Sequence, residues 1–160
     1  MKKYVIFTDG SCNAKTKQGG SGVFIAKPKE KRIGIGYCPT RTGRTEVNAL
    51  LLALKEIPKD KKTNVLIYSD SQYVVKSIME NWVYNWEKMG WIDRKNVDLW
   101  KKILKRIRNR PKMKLKLIHI KGHQKDLSNE LIAGNNEADK LASYKNFKEF
   151  VKTDPSTWDK

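Results

Sequence analysis

The chain has 160 residues but only two cysteines, Cys12 and Cys38, and half as many acidic as basic side chains. Two cysteines are too few for a disulfide framework, so we expect both to be buried or half-buried in a reducing compartment. No apolar run is long enough to cross a bilayer, and the apolar segment after Met1 meets Asp9 too soon for a signal peptide. There is no internal repeat and no low-complexity linker. We therefore expect one cytoplasmic domain, a monomer with no membrane partner.

Positive charge is in large excess, because 34 lysines and arginines face 17 acidic residues and give a formal net charge of +17. Such an excess attracts polyanions over distance and supports sequence-independent contacts with phosphates. A generally basic surface is the alternative. The distribution argues against it, since every charged residue from Lys101 to Lys121 is a cation. We therefore expect a polyanionic partner.

Apolar periodicity predicts a mixed α/β domain with five strands. The predicted strands cover residues 4–8, 23–26, 33–37, 64–68 and 115–120, and the helices cover 44–57, 71–80, 97–110 and 135–147. The pair Asp9-Gly10 indicates a turn at the end of the first strand. Trp82 and Trp86 stand at helical spacing ahead of the third helix. We expect the polar tail, residues 152–160, to be loosely held apart from a docking of Trp158.

Four acidic residues occupy positions typical of a catalytic site. Asp9 and Asp70 each close a predicted strand, Glu46 lies in the first turns of a helix, and Asp139 opens the last helix. Carboxylates at the ends of adjacent strands point into the crevice where open α/β sheets bind ligands. Taken singly, each acid is more readily explained as a solvated charge or a helix cap, and spacing alone does not prove convergence.

If these acids converge in so basic a chain, a divalent metal would neutralise them. Hard oxygen ligands beside a phosphate-bearing partner suit Mg²⁺ or Mn²⁺. Two such ions about 3.5–4 Å apart would stabilise the attacking and leaving oxygens of a phosphodiester displacement.

Six sequence blocks follow one another through most of residues 4–142. They are 8–12 (TDGSC), 44–47 (RTEV), 68–74 (YSDSQYV), the tryptophan-containing segment 81–100, 121–123 (KGH) and 134–142 (GNNEADKLA). In this order the blocks resemble those of type 1 ribonucleases H. One block alone is a weak signal, whereas six in order are a strong one.

The resemblance implies a ribonuclease H-like α/β fold for residues 1–151, with a five-stranded mixed central sheet flanked by helices, followed by the tail 152–160. It also implies an endonuclease that hydrolyses the RNA strand of RNA–DNA hybrids and leaves 5′-phosphate and 3′-hydroxyl ends. Two Mg²⁺ ions would serve as cofactors, with Mn²⁺ as a substitute. A hybrid-binding module that no longer cuts, or another nuclease of this fold such as a resolvase or an exonuclease, is the alternative. The four acids argue against the first, and the KGH and GNNEAD blocks argue against the second.

Residue roles follow from the same resemblance. Asp9 would bridge the two ions, Asp139 would hold the ion that activates water, and Asp70 would hold the ion at the leaving oxygen. Glu46 would contact that second ion and the ribose 2′-hydroxyl, which distinguishes RNA from DNA. His123 would move a proton or help to release product, with an ordinary surface histidine as the alternative.

The resemblance also implies substrate contacts, at Ser11, Cys12, Asn13, Arg41, Thr42, Arg44, Gln72, Trp86 and Asn96. Trp86 would pack on a DNA sugar, and Asn96 would lie in the pocket for a DNA phosphate. Arg41 and Thr42 stand where the family commonly has Thr-Asn, and a guanidinium can bind a phosphate through two N–H groups, so we expect an altered pocket.

The segment between Trp91 and Asn96 is shorter than in bacterial members with a basic protrusion. We expect its positive charge to have moved to the helix 97–110, with Val97, Trp100, Leu104 and Ile107 inward and Lys101, Lys102, Lys105, Arg106 and Arg108 facing solvent. A solvated face that only maintains solubility is the alternative. For Trp82 and Trp100 we expect a core role.

Overall fold

A computed structural model of the chain describes residues 1–121 and 128–160. The strands are β1 (Lys2–Cys12), β2 (Gly19–Lys27), β3 (Lys31–Cys38), β4 (Thr63–Ser69), β5 (Met113–His119) and β6 (Val151–Lys152). The helices are α1 (Thr42–Lys55), α2 (Gln72–Met79), α3 (Trp82–Lys88), α4 (Val97–Arg108) and α5 (Asn129–Ala142). The α/β class is confirmed. In these two ranges no helix combines the length and the apolar character that crossing a membrane requires.

β1 lies inside a mixed sheet with the strand order β5-β4-β1-β2-β3-β6. β1, β4 and β5 are parallel, whereas β2 is antiparallel to both β1 and β3. Five of the strands are the predicted ones. The sixth is the two-residue strand β6, which pairs with Tyr37 and Cys38 at the edge of β3. The sheet is six-stranded because a segment near the C-terminus completes its edge.

The two faces of the sheet are covered by different helices. Along β1, Tyr4 and Ile6 belong to the larger core, which includes the buried faces of α1, α2 and α4. Phe7 points to the other face and joins a smaller cluster with Phe24 and Ala138 of α5. Burying one such large apolar side chain contributes about 1.5–3 kcal/mol, so packing on the sheet holds these helices more than their intrinsic propensity does.

The helix α5 lies very close to the sheet because glycines face it. A Cβ atom on Gly22 would be 2.5 Å from the carbonyl oxygen of Ala138, and one on Gly134 would overlap the ring of Phe7. A side chain at either position would push α5 outward. The acid that follows Ala138, Asp139, is therefore held near the end of β1 by this close contact.

The predictions for the last helix and for one turn are wrong. The helix predicted over 135–147 spans Asn129–Ala142, so both of its ends differ from the prediction. α5 begins at Asn129, because the Ser128 hydroxyl caps the helix by accepting a hydrogen bond from the Leu131 N–H. Asp139 consequently lies well inside α5 and does not open it. The turn predicted at Asp9-Gly10 is also absent from the described chain, since β1 continues through both residues and pairs with β2 as far as Cys12.

The tail is docked rather than loosely held. Trp158 is only 7% exposed, which confirms its expected docking, and its ring lies 4.9 Å from the Arg41 guanidinium and 4.7 Å from that of Arg44. The Thr153 N–H also donates to the Cys38 carbonyl oxygen at 3.3 Å. Cation–π contact and backbone pairing thus fasten this polar segment to the domain.

The helix α4 divides largely as predicted, with Val97, Trp100 and Leu104 buried and Ile107 half-buried. Trp100 therefore has the expected core role. That prediction is wrong for Trp82, which is 39% exposed and packs on the ring of its neighbour in α3, Trp86.

The cations of α4 do not all behave alike. Lys101, Lys102 and Lys105 are exposed and Arg106 is half-buried. Arg108 is exposed but pairs with Glu87 of α3 at 2.5 Å. Just beyond the helix, Arg110 is buried and donates to the Ile57 carbonyl oxygen at 2.8 Å. The basic face available to a partner is therefore carried mainly by lysines.

Candidate active site

Two of the four predicted acids meet because parallel strands end together. The pairing of β1 with β4 stops at Thr8 and Ser69, so Asp9 and Asp70 are the next residues on adjacent strands. Asp9 is 7% exposed, whereas Asp70 lies at the solvent-accessible rim. The expected juxtaposition of strand-end aspartates is present.

Glu46 is brought to the same place by the close approach of α1 to β1. A Cβ atom on Gly10 would be 2.5 Å from the backbone nitrogen of Glu46, so only glycine permits this contact. The hydroxyl of the buried residue Ser21 fixes the helix further by donating to the Thr45 carbonyl oxygen at 2.7 Å. Glu46 is half-buried and hydrogen-bonded to Ser71.

The electrostatics show that three aspartates interact directly. Burial raises the pKa of Asp9 from 3.8 to about 9, and the charge of Asp70 and a hydrogen bond with Asp139 add to the rise, against the opposing Gly10 N–H. That N–H donates to Asp9 Oδ1 at 2.8 Å. Near neutral pH, Asp9 therefore keeps a proton unless positive charge enters the cluster.

The pKa values of Asp70 and Glu46 are also raised. Partial desolvation of its carboxyl raises the pKa of Asp70; the hydrogen bond with Asp9 opposes the shift, and the charge of Asp139 adds to it. Burial likewise raises the pKa of Glu46, against the bond with Ser71. Four carboxyls from β1, α1, the end of β4 and α5 thus share one small region that is short of positive charge.

The donor set fits a divalent cation. All four side chains offer hard carboxylate oxygens. The pKa of Asp9 is raised first by burial and then by neighbouring acids, whose charge a cation would neutralise. Within residues 1–121 and 128–160, no three carboxyl, imidazole or thiol groups already form a coordination shell. Mg²⁺ needs no such cage, because it usually keeps water and binds one or two carboxylates together with substrate phosphates.

Among the described residues, one histidine lies at this site. His123 lies outside the described residues. His119, which was not predicted as a site residue, ends β5 and stands in register with Ser69. Its Nε2 atom is 3.1 Å from the Asp70 carbonyl oxygen, and its charge opposes the rise in the pKa of Asp70. A third parallel strand ending in histidine was the signal that could have found it.

Three of the predicted substrate residues, Arg41, Trp86 and Asn96, line one cleft of about 460 Å³. Its other lining residues are Gly43, Tyr73, Asp93, Arg94 and Lys95. The cleft combines an aromatic floor with three cations and one acid, which suits a sugar–phosphate chain. It is joined to the carboxyl cluster through α1, because Arg41 directly precedes this helix and Glu46 lies in its first turns.

Trp86 is held in place by neighbouring rings. Tyr73 stacks on it with centroids 6.4 Å apart, and Trp100 meets it edge-on at 6.1 Å. Tyr73 is fixed in turn by the Trp100 Nε1–H, which donates to its hydroxyl at 2.9 Å. The Arg94 guanidinium lies 5.1 Å from the Trp86 ring. Trp86 is half-buried and offers a rigid surface to a ligand.

Arg44 is placed differently from the other substrate candidates. It is 5% exposed and donates from both terminal nitrogens to the Asp98 carboxylate, at 2.9 Å and 2.6 Å. This bidentate ion pair joins α1 to α4, and the Trp158 ring packs on the Arg44 guanidinium. The geometry gives Arg44 a structural task, and a substrate contact for it stays a prediction.

The remaining candidates lie around the ends of β1, α1 and α2. The Ser11 hydroxyl donates to the Ala142 carbonyl oxygen at 2.6 Å, and the Asn13 side chain donates to the Tyr144 hydroxyl at 3.2 Å. The thiol of the half-buried residue Cys12 lies 3.5 Å from the Thr40 carbonyl oxygen. Thr42 and Gln72 are exposed at the first residues of α1 and α2. Their contacts with substrate stay predictions.

A tail residue that was not predicted from the sequence enters the cleft region. Asp159 Oδ1 accepts hydrogen bonds from Arg41 Nη2 at 2.6 Å and from the Asn96 N–H at 2.9 Å. The only sequence signal was an acid directly after the docking residue Trp158.

Comparisons with known proteins agree with one another. A family profile described as RNase H matches residues 1–146. A ribonuclease H of Syntrophomonas wolfei is 35% identical over 136 residues, covering 81% of this chain and 90% of that protein. A ribonuclease H of Acetivibrio thermocellus is 36% identical over 149 residues, covering 89% of this chain and 94% of that protein.

A solved structure gives the same result. The protease–reverse transcriptase of prototype foamy virus aligns with a TM-score of 0.73 and 28% identity, and the match covers 89% of this chain. The chain spans only 20% of the viral protein. The ribonuclease H-like fold is confirmed. The chain belongs to the ribonuclease H family, a family of endonucleases that require a divalent metal ion.

Proposed function

We propose that this protein hydrolyses the RNA strand of RNA–DNA hybrids with two Mg²⁺ ions, leaving 5′-phosphate and 3′-hydroxyl ends. The observation that carries the proposal is the meeting of four carboxyls at one edge of the sheet, with the pKa of the buried residue Asp9 raised to about 9. The relatives named ribonuclease H support the hybrid as substrate. The charge and cysteine content support a monomeric cytoplasmic enzyme.

Each acid has a role that its position allows. Asp9, at the buried centre, would hold both ions; Asp139 would hold the one on the water side, and Asp70 with Glu46 the one at the leaving oxygen. The two ions would supply positive charge for the phosphate and a lowered pKa for the attacking water. Asp9 would give up its proton when the cluster is neutralised. Mn²⁺ would replace Mg²⁺ because both favour oxygen donors.

Recognition of the two strands would use different parts of the surface. Glu46 is half-buried beside the cluster, where its carboxylate would accept a hydrogen bond from a ribose 2′-hydroxyl that DNA lacks. The cleft beside it would take the DNA strand, with a sugar against Trp86 and a phosphate at Arg41 and Asn96. His123 would move a proton or aid product release.

Digestion of labelled nucleic acids tests the proposed function directly. With Mg²⁺ we expect internal cuts in the RNA strand of a hybrid and no cutting of single-stranded RNA, duplex RNA or duplex DNA. Chelation should stop cleavage, and Mn²⁺ should restore it. Ligation of the fragments by an enzyme that needs a 5′-phosphate and a 3′-hydroxyl checks the ends. Equal cutting of duplex RNA, or no cutting of hybrid, would contradict the proposal.

The exposed lysines of α4 are proposed to bind the hybrid outside the cleft. Replacing Lys101, Lys102 and Lys105 by Glu should raise KM about tenfold at low salt and change kcat little, since they would bind ground and transition states alike. The slope of log affinity against log salt should become shallower by about 0.9 for each phosphate that the variant no longer neutralises. Arg108 is left intact because it pairs with Glu87.

A matched charge change elsewhere is the control for α4. Lys29, Lys61 and Lys62 are exposed on two loops, and their replacement by Glu alters the net charge by the same amount. If both triple variants shift KM equally, only the overall charge matters. An unchanged KM in the α4 variant would mean that its lysines serve solubility alone.

A further inference from the structure

The Asp159 carboxylate lies where the proposed DNA phosphate should bind. Oδ1 accepts the hydrogen bonds from both Arg41 Nη2 and the Asn96 N–H. The same Nη2 donates to the Asn96 side-chain oxygen at 3.0 Å. Asn96 is 2% exposed and has a positive φ of 60° ahead of α4, so a backbone N–H and a guanidinium converge on one anion.

The Asp159 carboxylate does not provide a hydrogen-bond acceptor for every donor of this pocket. Both contacts go to a single oxygen, Oδ1, of the Asp159 carboxylate. The Arg41 Nε–H is buried and has no hydrogen-bond partner among residues 1–121 and 128–160. A buried donor without a partner costs free energy, and a guanidinium fork matches the several oxygens of a phosphate better than one carboxylate oxygen.

The segment that carries Asp159 is anchored independently of this carboxylate. The Asp98 N–H donates to the Trp158 carbonyl oxygen at 3.3 Å, and the Trp158 ring packs on Arg41 and Arg44. The Asp159 side chain itself remains 46% exposed. Burial would raise its pKa, but the bonds from Arg41 and Asn96 hold that pKa below its ordinary value, so the group is ionised at neutral pH.

We propose that Asp159 is a built-in competitor of substrate: its carboxylate occupies the Arg41–Asn96 anion pocket in the free protein and is displaced by a phosphate of the DNA strand. This inference rests on the proposed function for the identity of the ligand. The apparent affinity for hybrid is then reduced by the fraction of molecules in which the pocket is closed. Trp158 keeps the competitor near the pocket, so its local concentration stays high.

Substitution of Asp159 tests the competition. The probe is a fluorescein-labelled RNA–DNA hybrid, and its Kd is measured by anisotropy in chelator so that no cleavage occurs. Asp159→Asn should bind the hybrid about twofold to fivefold more tightly than the unaltered chain, the range expected when a partly exposed ion pair is released. Unchanged or weaker binding would overturn the proposal, and weaker binding would make Asp159 a positioning residue for Arg41.

Asp154 provides the matched control within the same tail. Its carboxylate accepts bonds from the Ser156 N–H at 3.1 Å and hydroxyl at 2.7 Å, away from the pocket. Asp154→Asn changes the net charge equally and should leave Kd unchanged. Equal tightening in both variants would overturn the proposal in favour of general attraction. Thermal unfolding of each variant verifies that the fold is intact.

Removal of the pocket provides the decisive comparison. In an Arg41→Ala background the charged half of the pocket is gone and only the Asn96 N–H still holds the carboxylate, so Asp159→Asn should tighten binding much less. A gain of the same size in both backgrounds would overturn the proposal. Cleavage of hybrid by the unaltered chain is measured in parallel with Mg²⁺. If the chain binds hybrid without cutting it, the proposed function fails, while the competition is still read from Kd.

Discussion

The Asp70→Asn variant is expected to keep its fold and its affinity for hybrid but to lose at least about a thousandfold of its cleavage rate. The amide has the shape of the carboxylate and lacks the charge that a divalent ion requires. Asp70 lies at the exposed rim beside Asp9, so its replacement leaves the core packing untouched. Single-turnover cleavage with saturating hybrid and Mg²⁺ measures the rate, and anisotropy in chelator measures binding.

The control for this experiment is Asp60→Asn. Asp60 is exposed in the loop between α1 and β4, at the opposite end of β4 from Asp70. The Asp60→Asn variant should cleave hybrid at the same rate as the unaltered chain. Activity of Asp70→Asn within threefold of the parent would show that Asp70 holds no ion. The proposed two-ion mechanism would then be contradicted.

Asp9→Asn should abolish cleavage as fully and yet stabilise the metal-free protein. The pKa of Asp9 is about 9 in the folded chain against 3.8 for a free carboxyl. The folded state therefore binds more protons than the unfolded state between these values, and stability is lost as pH rises through them. An amide at this position removes that loss. We expect a gain of about 0.5–2 kcal/mol near neutral pH, or a few degrees in Tm.

Thermal unfolding in chelator between about pH 6 and pH 9 checks this prediction. Tm of the unaltered chain should fall more steeply with pH than Tm of Asp9→Asn. Added Mg²⁺ should restore Tm at the alkaline end in the unaltered chain, because ligand binding to the folded state stabilises it. Asp60→Asn should follow the unaltered chain throughout. Identical pH slopes for the unaltered chain and Asp9→Asn would mean that Asp9 is not held protonated.

The sequence was sufficient for the order of five strands and four helices and for the two strand-end aspartates, but it predicted neither the helix α3 nor the strand β6. Apolar runs of strand length ending at Asp9 and Asp70 predict adjacency, because parallel strands of one sheet end at one edge. Two predictions from local sequence signals failed. Asp9-Gly10 has turn composition but lies inside β1, where the glycine is needed for the approach of α1. The start of α5 was misplaced because the Ser128 cap is a weaker signal than the apolar pattern further along.

By itself, the sequence determined what depends on local pattern: the α/β class, the basic face of α4 and the family. That the four acids bind a metal stays a prediction. Only the tertiary structure decided what depends on contacts between distant parts of the chain. It paired Arg44 with Asp98 and brought Asp159 to Arg41, which is 118 positions away in the sequence. It also raised the pKa of Asp9 to about 9. The burial of a carboxyl and its distance from other charges depend on how the helices pack on the sheet. A local sequence pattern contains no information about either.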